Sequence, residues 1–426
     1  MSSDPRNILK NKINERRVVI TGVGLVTPLG TGTRKSWDAL LAGRSGVGPI
    51  TRFDASRHAV RIAAEVRDFE PLDFIDRKEV RKMDLFIQFA MAAARFAVED
   101  AGIPEALLAG DRSGVVVGSG IGGIGTIEEW HRVLAERGPD RVSPFFLIAS
   151  IINEAAGQIS IRYGARGPNS ATVTACAAGT HAVGEAFRMI ARGDADRMIA
   201  GGAEAPITPL GVAGFCAMKA LSGRNEAPAK ASRPFDAGRD GFVIGEGAGI
   251  VLLEELGEAL RRGAKIYAEV VGYGMSGDAY HPAAPAEDGD GAYRVMRRTL
   301  EDAGLEPEDI QYINAHGTST QLNDRVETAA VKRLFGGHAY RLGLNSTKSM
   351  TGHMLGAAGG VEAGVAALCL KHQIMTPTIN YETPDPDCDL DCVPNAARPA
   401  EIVNALSNSF GFGGTNACLA FRRFEE

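Results

Sequence analysis

The sequence predicts an α/β protein built from two similar halves. Short β-branched runs alternate with alanine-rich, helix-like runs along the chain, a pattern typical of a mostly parallel sheet covered by helices on both faces. One signature occurs twice: Glu99-Asp-Ala-Gly102 returns as Glu301-Asp-Ala-Gly304, each followed by a proline within three residues. Glycine just after a helix, with proline shortly beyond, is typical of a helix end. These observations predict an internal duplication.

The elements follow in the same order in each half. In the first half we predict strands at 17–24, 113–118, 171–174 and 197–202 and helices at 85–101 and 177–192. In the second half we predict strands at 266–274, 310–314, 342–346, 402–409 and 417–422 and helices at 294–303 and 353–372. The boundary falls near 263–265, which gives an N-terminal extension at 1–16, a first half at 17–264 and a second half at 265–426.

Composition narrows the class of protein. The chain of 426 residues is 45% apolar and carries a formal net charge of −6, which argues against a nucleic-acid partner. No apolar run reaches membrane-spanning length, and the polar N-terminus lacks the apolar core of a signal peptide. Six cysteines are few for this length and fit a reducing compartment, so we expect a cytoplasmic protein without membrane insertion. Cys388-Asp-Leu-Asp-Cys392 has no second pair or nearby histidine to complete a structural metal site.

Cys176 is the candidate nucleophile. It lies in Thr174-Ala-Cys-Ala-Ala-Gly-Thr-His181, between a predicted strand and a predicted helix. A helix start presents unpaired N–H groups and the positive end of the dipole, and both favour the reactive thiolate. A buried cysteine that only fills space is the alternative interpretation.

Two histidines and a glycine-rich loop could serve such a nucleophile. His316 lies in Asn314-Ala-His-Gly-Thr-Ser-Thr320, and His353 ends Lys348-Ser-Met-Thr-Gly-His353. Neutral imidazoles can donate to a carbonyl that gains negative charge. The amides of Asn408-Ser-Phe-Gly-Phe-Gly-Gly-Thr-Asn416 could face an oxyanion. Together these segments indicate acyl transfer.

Three further patterns have competing interpretations. Lys348 and Glu362 form either a pair near the site or an ordinary solvated pair. Gly118-Ser-Gly-Ile-Gly-Gly123 matches the dinucleotide-binding spacing only weakly, because no acidic residue ends a second strand at the expected distance. A basic run around 77–82 would share one face of a helix at 76–83, as a solvated face or as a dock for an acidic partner.

Taken together, these motifs resemble those of the β-ketoacyl-acyl-carrier-protein synthases, from about residue 17 to 424. The chain is most similar to synthase II, the elongating condensing enzyme of type II fatty acid synthesis. The matching segments occur in family order: Val173–Cys176, Arg233–Asp236, Arg239–Gly249, Asn314–Thr320, Lys348–His353 and Asn408–Asn416. The features particular to synthase II are Gly118–Gly123, Val142–Phe146 and Arg77–Asp84.

The resemblance implies a thiolase-like fold, with two duplicated halves in an α-β-α-β-α five-layer arrangement, and a homodimer. It implies an acyltransferase in which Cys176 takes the acyl group from acyl-carrier protein. His316 and His353 then hold malonyl-carrier protein as it decarboxylates and attacks the acyl-enzyme. The amides of Cys176 and Phe412 match the oxyanion donors, and Phe412 also matches the gate to the site. No cofactor is implied, because the phosphopantetheine arm is carried by the carrier protein.

The resemblance assigns supporting residues as well. It places Lys348 in the catalytic set, Glu362 and Asn408 in support, and, in some members, a structural monovalent cation near Asn314, Glu362 and Asn408. The implied substrate-binding residues are Ile121, Phe215, His281, Thr318, Thr320 and Phe410, with Ile121 in the acyl pocket. The implied carrier-protein dock is Lys78, Arg81, Lys82 and Lys219. One departure is the Pro-Ala-Ala-Pro after His281, where the family has a hydroxyl residue at position 283.

Three other functions compete with fatty acid elongation. A degradative thiolase would carry a second cysteine in the C-terminal glycine-rich loop, where this chain has Phe410 and Phe412. A catalytically silent chain-length factor would lack the nucleophile that Cys176 provides. A specialised ketosynthase for polyketides or unusual acyl chains retains every catalytic residue, so the sequence leaves it open.

Overall fold

The structure is a computed structural model that describes residues 16–425. Most strands join one hydrogen-bonded sheet, and two short pairs, β3–β4 and β12–β13, lie outside it. The strands of the first half are β1 (Val18–Thr27), β2 (Gly30–Thr31), β3 (Val47–Pro49), β4 (Ile62–Ala64), β5 (Ser113–Gly118), β6 (Asn169–Ser170), β7 (Arg197–Glu204) and β8 (Gly247–Glu255). Those of the second half are β9 (Ala268–Gly277), β10 (Tyr312–Asn314), β11 (Gly343–Asn345), β12 (Ile374–Met375), β13 (Arg398–Pro399), β14 (Asn404–Gly411) and β15 (Thr415–Arg422).

The order of strands in the large sheet repeats about its centre. There β1 and β9 lie side by side and antiparallel, paired from Val18↔Val270 to Ile20↔Ala268. Outward from β1 the order is β8, β7, β5 and β6; outward from β9 it is β15, β14, β10 and β11. Each half has two antiparallel pairings followed by two parallel ones. The predicted duplication is therefore present in the fold.

Helices cover both faces of each half-sheet. The helices of the first half are α1 (Thr33–Leu41), α2 (Arg77–Val80), α3 (Leu85–Ala101), α4 (Ile124–Arg137), α5 (Phe146–Ser150), α6 (Glu154–Tyr163), α7 (Ala178–Arg192), α8 (Pro209–Ala217) and α9 (Leu256–Arg261). Those of the second half are α10 (Asp290–Ala303), α11 (Gln321–Phe335), α12 (Lys348–Thr351) and α13 (Ala358–His372). None of these described helices is both long and apolar enough to cross a membrane.

The central layer consists of α7 and α13, one from each half. They pack against each other and against strands of both half-sheets, while α3 covers β1 and β8, and α10 covers β9 and β15. Glycines permit this close packing: a Cβ on Gly179 would lie 2.6 Å from the Gly360 nitrogen. The result is the predicted five-layer α-β-α-β-α arrangement.

Two predicted elements differ near the centre of the molecule. The run at 171–174, predicted as a strand, follows the short edge strand β6 and does not continue it. Here the Thr172 hydroxyl donates to the Ala178 carbonyl at 2.7 Å, so the chain turns early toward α7. The helix predicted from 353 begins only at Ala358, after a 3₁₀ turn at Leu355–Ala357. These two turns, at the starts of α7 and α13, lie against each other and define the candidate site.

Candidate active site

Cys176 occupies a 3₁₀ turn, Ala175–Ala177, directly before α7. The turn requires a left-handed backbone at Ala175, whose φ is 48°. The Cys176 side chain is only 6% exposed and belongs to an apolar cluster. The structure thus places the thiol at a helix start, as the sequence predicts.

The pKa of the Cys176 thiol is higher than its position at a helix start alone would predict. Burial raises the pKa of Cys176 to about 12 and outweighs the opposing effects of the Lys348 charge and of the backbone N–H groups of Phe412 and Cys176 itself. The backbone N–H groups favour the thiolate, as the sequence predicts, but burial outweighs them and the resting group is a thiol. The physical reason is that the free-energy cost of removing a thiolate from water exceeds the stabilisation that the helix start provides.

His316 and His353 reach the site from two loops of the second half. The His316 backbone N–H donates to the Glu327 carboxylate at 2.9 Å, and the His353 backbone N–H donates to the Val243 carbonyl at 2.7 Å. Their rings meet edge to face, with centroids 5.3 Å apart and planes at 86°. Phe410 packs on the His316 ring, so both rings are held in fixed orientations.

Both imidazoles are neutral at ordinary pH. Burial and the positive charge of Lys348 hold the pKa of His316 and of His353 well below the usual value. The Nδ1 atom of each ring is buried without a hydrogen-bond partner, so we expect Nε2 to face the cavity. A neutral imidazole can donate one hydrogen bond without carrying a charge of its own.

A cavity of about 530 Å³ brings the nucleophile and the two histidines together. Most of the predicted substrate-binding side chains line it as well. The predicted residues on its wall are Cys176, Phe215, Lys219, His316, Thr318, Thr320, His353, Phe410 and Phe412. Because these residues come from both halves, the cavity lies at the junction of the duplicated units.

The glycine-rich loop between β14 and β15 closes one side of the cavity. Its Phe412 side chain is 36% exposed. The two residues after Phe412 have left-handed φ values of 87° and 67°, which glycine adopts without strain. The Gly413 N–H donates to the Pro282 carbonyl at 2.7 Å, and the Asp278 N–H donates to the Gly414 carbonyl at 2.8 Å. The loop is therefore tied to the segment that carries the Pro-Ala-Ala-Pro sequence.

Two predicted substrate-binding residues do not line the cavity. The exposed His281 ring caps its own loop, where Nδ1 accepts from the N–H groups of Ala283 and Ala284 at 3.1 Å each, and its predicted contact with substrate stays a prediction. Ile121 lies behind the wall, partly buried in the apolar cluster that contains Cys176. Ala283 and Ala284 do line the cavity and present methyl groups where the family has a hydroxyl.

A buried ion pair lies beneath the site. Lys348 and Glu362 are 1% and 2% exposed, and the ammonium contacts the carboxylate directly, which excludes the solvated interpretation. Burial raises the pKa of Glu362 to about 7, against the lowering effect of Lys348. The charge of Lys348 also acts on Cys176 and on both histidines.

Four buried oxygens, one of them on Glu362, have no hydrogen-bond partner among residues 16–425. They are Asn314 Oδ1, Glu362 Oε2, Ser407 Oγ and Asn408 Oδ1. Oxygens of amides, hydroxyls and one carboxylate form a donor set suited to a hard cation, so these residues fit the implied monovalent ion. Across residues 16–425, no cluster of three or more His, Cys, Asp or Glu side chains could hold a metal.

Two buried glutamates were not identified from the sequence. Glu327 accepts hydrogen bonds from the His316 and Gly317 backbone and from the Asn408 amide, so it fixes the His316 loop. Glu204 accepts from the backbone N–H groups of 120–122. These amides are therefore not free for a pyrophosphate, which excludes the dinucleotide interpretation. The available signal for Glu204 was a lone carboxylate ending an apolar strand.

The basic residues are not all on one helical face. The helix predicted at 76–83 is only the four-residue α2, beyond which Lys82 contacts Glu79 at 2.7 Å and lies over the Phe145 ring. Lys78 and Arg81 are exposed. Lys219 is exposed at the cavity mouth, where the other three do not reach.

Comparison with known proteins decides the family. The model described as the β-ketoacyl synthase N-terminal domain matches residues 15–259, and that of the C-terminal domain matches residues 267–382. The chain belongs to the β-ketoacyl synthase family. This confirms the resemblance inferred from the motifs around Cys176, His316 and His353.

Curated relatives of this β-ketoacyl synthase match over nearly the full chain. The proteins named 3-oxoacyl-[acyl-carrier-protein] synthase 2 are 55% identical in Coxiella burnetii and 54% identical in Staphylococcus aureus strain COL. Each match covers 96% of this chain and 99% of the relative.

Solved structures confirm the fold. The ishigamide ketosynthase/chain length factor superposes with a TM-score of 0.91 at 39% identity, covering 96% of this chain and all of that one. A β-ketoacyl synthase from Burkholderia phymatum gives 0.90 at 38% identity with the same coverage. A type II polyketide-synthase ketosynthase, solved with its acyl-carrier protein, gives 0.89 at 37% identity, again with that coverage.

Proposed function

We propose that this β-ketoacyl synthase extends fatty acyl chains by decarboxylating condensation with malonyl-acyl-carrier protein, yielding 3-oxoacyl-acyl-carrier protein. The observation that carries the proposal is the cavity shared by one cysteine and two neutral histidines. The names of the relatives at 54–55% identity support the same reaction.

Acyl transfer to Cys176 is the first step. The sulfur attacks the thioester carbonyl of acyl-carrier protein, and the bond from that carbonyl to the phosphopantetheine sulfur breaks. The thiol proton ends on the released phosphopantetheine thiol, so charge balances. The N–H groups of Cys176 and Phe412, which act on the Cys176 sulfur, are the donors we assign to the oxyanion.

Condensation is the second step. Malonyl-carrier protein loses carbon dioxide, and the electron pair of the broken bond forms an enolate whose oxygen accepts hydrogen bonds from His316 and His353. The carbanion carbon attacks the acyl-Cys176 carbonyl, and the thiolate that leaves takes a proton from water. Neutral imidazoles suit this role, because they stabilise the developing charge without protonating the carbanion.

The competing functions fit less well. Cys418, the cysteine closest to the glycine-rich loop in sequence, is fully buried in β15 and does not line the cavity, which disfavours a degradative thiolase. A silent chain-length factor would not need the Cys176 and histidine geometry. Specialised polyketide ketosynthases are the nearer rival, but the type II polyketide-synthase ketosynthase is 37% identical, below the synthase 2 relatives at 54–55%.

The direct test is elongation with purified protein. Acyl-carrier proteins of graded saturated chain length, each with malonyl-carrier protein, are expected to yield 3-oxoacyl-carrier protein after one condensation. Condensation only with polyketide or aromatic acyl groups would instead support the specialised ketosynthase. No added cofactor is expected to be needed, so extensively dialysed protein should retain its rate.

Ile121→Phe is expected to shorten the accepted acyl chain. Ile121 packs in the apolar cluster around Cys176, and several added heavy atoms in a packed interior cost about 1–3 kcal/mol unless the neighbouring space gives way. Acylation by long-chain carrier proteins should fall while malonyl decarboxylation stays near its original rate. Ile103→Phe, in the separate core beneath α3, is the matched control and should affect all chain lengths alike. An equal loss at every length in Ile121→Phe would contradict the assignment.

Charge reversal at the predicted carrier-protein dock is expected to weaken the binding of acyl-carrier protein and to leave the binding of acyl-coenzyme A nearly unchanged. In Arg81→Glu/Lys82→Glu, KM for acyl-carrier protein should rise and lose its dependence on salt, because exposed pairs act together at about 0.2–1 kcal/mol each. Activity with acyl-coenzyme A should change far less. The control Arg34→Glu/Arg44→Glu reverses two exposed charges away from the cavity. Equal losses with both substrates would indicate misfolding instead.

A homodimer is the proposed assembly. Large apolar side chains are exposed along one stretch of the first half, with Leu147 at 65%, Ile161 at 76% and Val173 at 57%. Among the described strands, β6 of the same stretch pairs with β5 alone, so it forms an edge of the sheet. Such a surface fits a second copy of this chain. Analytical ultracentrifugation at micromolar concentration should give twice the chain mass of 45.0 kDa; a monomer would refute the proposal.

A monovalent cation is proposed to bind beneath the site, where its charge would offset that of Glu362. Its ligands would be Asn314, Glu362, Ser407 and Asn408. The thermal unfolding temperature should then be higher in potassium than in tetramethylammonium. A cytoplasmic location rests on the six free cysteines, and cell fractionation would test it.

A further inference from the structure

We infer that Glu204 is a positioning residue for acyl transfer: its buried carboxylate holds together the two backbone segments that carry Ile121 and Leu355, whose side chains pack in the cluster that contains Cys176. This inference rests on the acyl-pocket role proposed for Ile121. It adds a carboxylate to which the preceding mechanism gives no part.

Five donors converge on the Glu204 carboxylate. Oε1 accepts from the Ser119 hydroxyl at 2.7 Å and from the N–H groups of Ile121 and Gly122 at 3.0 and 3.2 Å. Oε2 accepts from the N–H groups of Gly120 and Gly356 at 2.7 and 2.9 Å. Glu204 is fully buried, and no Lys or Arg of the described chain forms an ion pair with it. Burial raises the pKa of Glu204, and these hydrogen bonds oppose that shift. Because both oxygens accept from donors, the geometry fits the ionised carboxylate.

Two glycines allow the backbone to approach this carboxylate closely. A Cβ on Gly120 would lie 2.9 Å from Oε2, and a Cβ on Gly356 would lie 2.7 Å from it. Only backbone without side chains can approach both sides at this distance. The arrangement is therefore specific to a carboxylate at the end of β7.

The two segments meet at the acyl-accepting cluster. The first, 119–122, follows β5 in the first half and carries Ile121; the second precedes α13 in the second half and carries Leu355. Both side chains pack in the cluster that contains Cys176. Loss of the carboxylate would free the segments of Ile121 and Leu355 together, whereas His353 keeps its own backbone hydrogen bond to the Val243 carbonyl. Acyl binding should therefore suffer more than malonyl decarboxylation.

Glu204 also acts on the nucleophile by its charge. Its negative charge raises the pKa of Cys176, so removing the charge should lower that pKa. The pKa of Cys176 is therefore a measurable quantity that should respond to the charge of Glu204 and not to a residue with a purely structural role. Alkylation of Cys176 by iodoacetamide, followed against pH, reports the thiolate fraction directly.

The test compares Glu204→Gln with Glu65→Gln. The glutamine amide turns its NH₂ group toward at least two of the backbone donors, whichever way it lies. Glu65 is a matched control: it is 1% exposed and also accepts from loop donors, those of Thr51 and Arg52, but neither donor residue packs in the cluster that contains Cys176. The measurements are acylation by butyryl- and palmitoyl-carrier protein, decarboxylation of malonyl-carrier protein, and the alkylation profile.

In Glu204→Gln we expect palmitoyl transfer to fall at least about tenfold, with butyryl transfer and decarboxylation within about threefold of the original. The alkylation profile should shift to lower pH in Glu204→Gln and not in Glu65→Gln. Uniform losses in every assay, or no change in any, would overturn the inference. Should Glu204→Gln not fold, Ser119→Ala removes one of the five donors and should show the same chain-length trend more weakly; a flat trend there would also overturn it. Wild-type protein that never acylates Cys176 would instead refute the proposed function.

Discussion

Alanine in place of His316 or His353 is expected to lower malonyl decarboxylation by about 10²–10³-fold, the usual cost of losing one donor aimed at a developing oxyanion. Each ring lies on the cavity wall, and the two are held edge to face. Self-acylation of Cys176 should survive at least partly, because the oxyanion donors of that step are backbone amides. The measurement is carbon dioxide release from malonyl-carrier protein, with acylation followed by mass spectrometry.

Two controls separate donation from packing. His353→Asn keeps an N–H donor and should retain more decarboxylation than His353→Ala, whereas His338→Ala removes a histidine that lies off the cavity wall and should change neither step. Unchanged decarboxylation in both alanine variants would refute the role. Because the pKa of each histidine is depressed, decarboxylation should stay insensitive to acid well below pH 6.5. Titration of these histidines contributes nothing to stability above their unfolded pKa, where both states are neutral. It destabilises the folded state as the pH falls through that value, because the unfolded chain then binds protons that the folded chain does not.

Cys176→Ala is expected to abolish acyl transfer and condensation, while malonyl decarboxylation persists. Wild-type protein incubated with acyl-carrier protein should carry one acyl adduct, on Cys176. Since burial raises the pKa of Cys176 to about 12, its alkylation rate should keep increasing above pH 9 with no plateau near neutrality. Cys216→Ala is the matched control, because Cys216 is the one free cysteine of the described chain that is not fully buried. An adduct on Cys216 or Cys418 would contradict the assignment.

Local patterns were sufficient to predict the duplicated α/β fold and the three reactive side chains of the cavity. The repeated helix ending at Gly102 and Gly304 revealed the duplication because glycine and proline act on the chain within a few residues. Cys176, His316 and His353 could be named because each follows a strand run, and strand ends of such folds meet. Resemblance added Thr318 and Phe410, both of which line the cavity.

The features that could not be predicted from the sequence depend mainly on contacts between segments that are distant in the chain. The resting protonation of Cys176 follows from burial by residues of both halves, which a helix-start argument cannot include. Glu204 finds its donors more than eighty residues earlier and 152 residues later in the chain. His281 does not line the cavity, and its ring accepts instead from the N–H groups of Ala283 and Ala284, a local contact that the sequence analysis did not include.

The pairing of β1 with β9 and of β9 with β15 has a consequence for the newborn chain. Cys176 is synthesised long before His316, and Phe412 lies on a loop that forms only when β14 and β15 pair near the C-terminus. The nascent first half therefore exposes a thiol that has neither its histidines nor its second oxyanion amide. Catalytic competence is expected to arise only once β15 has paired with β9 and β14, so a nascent chain that still lacks β15 would not consume malonyl thioester.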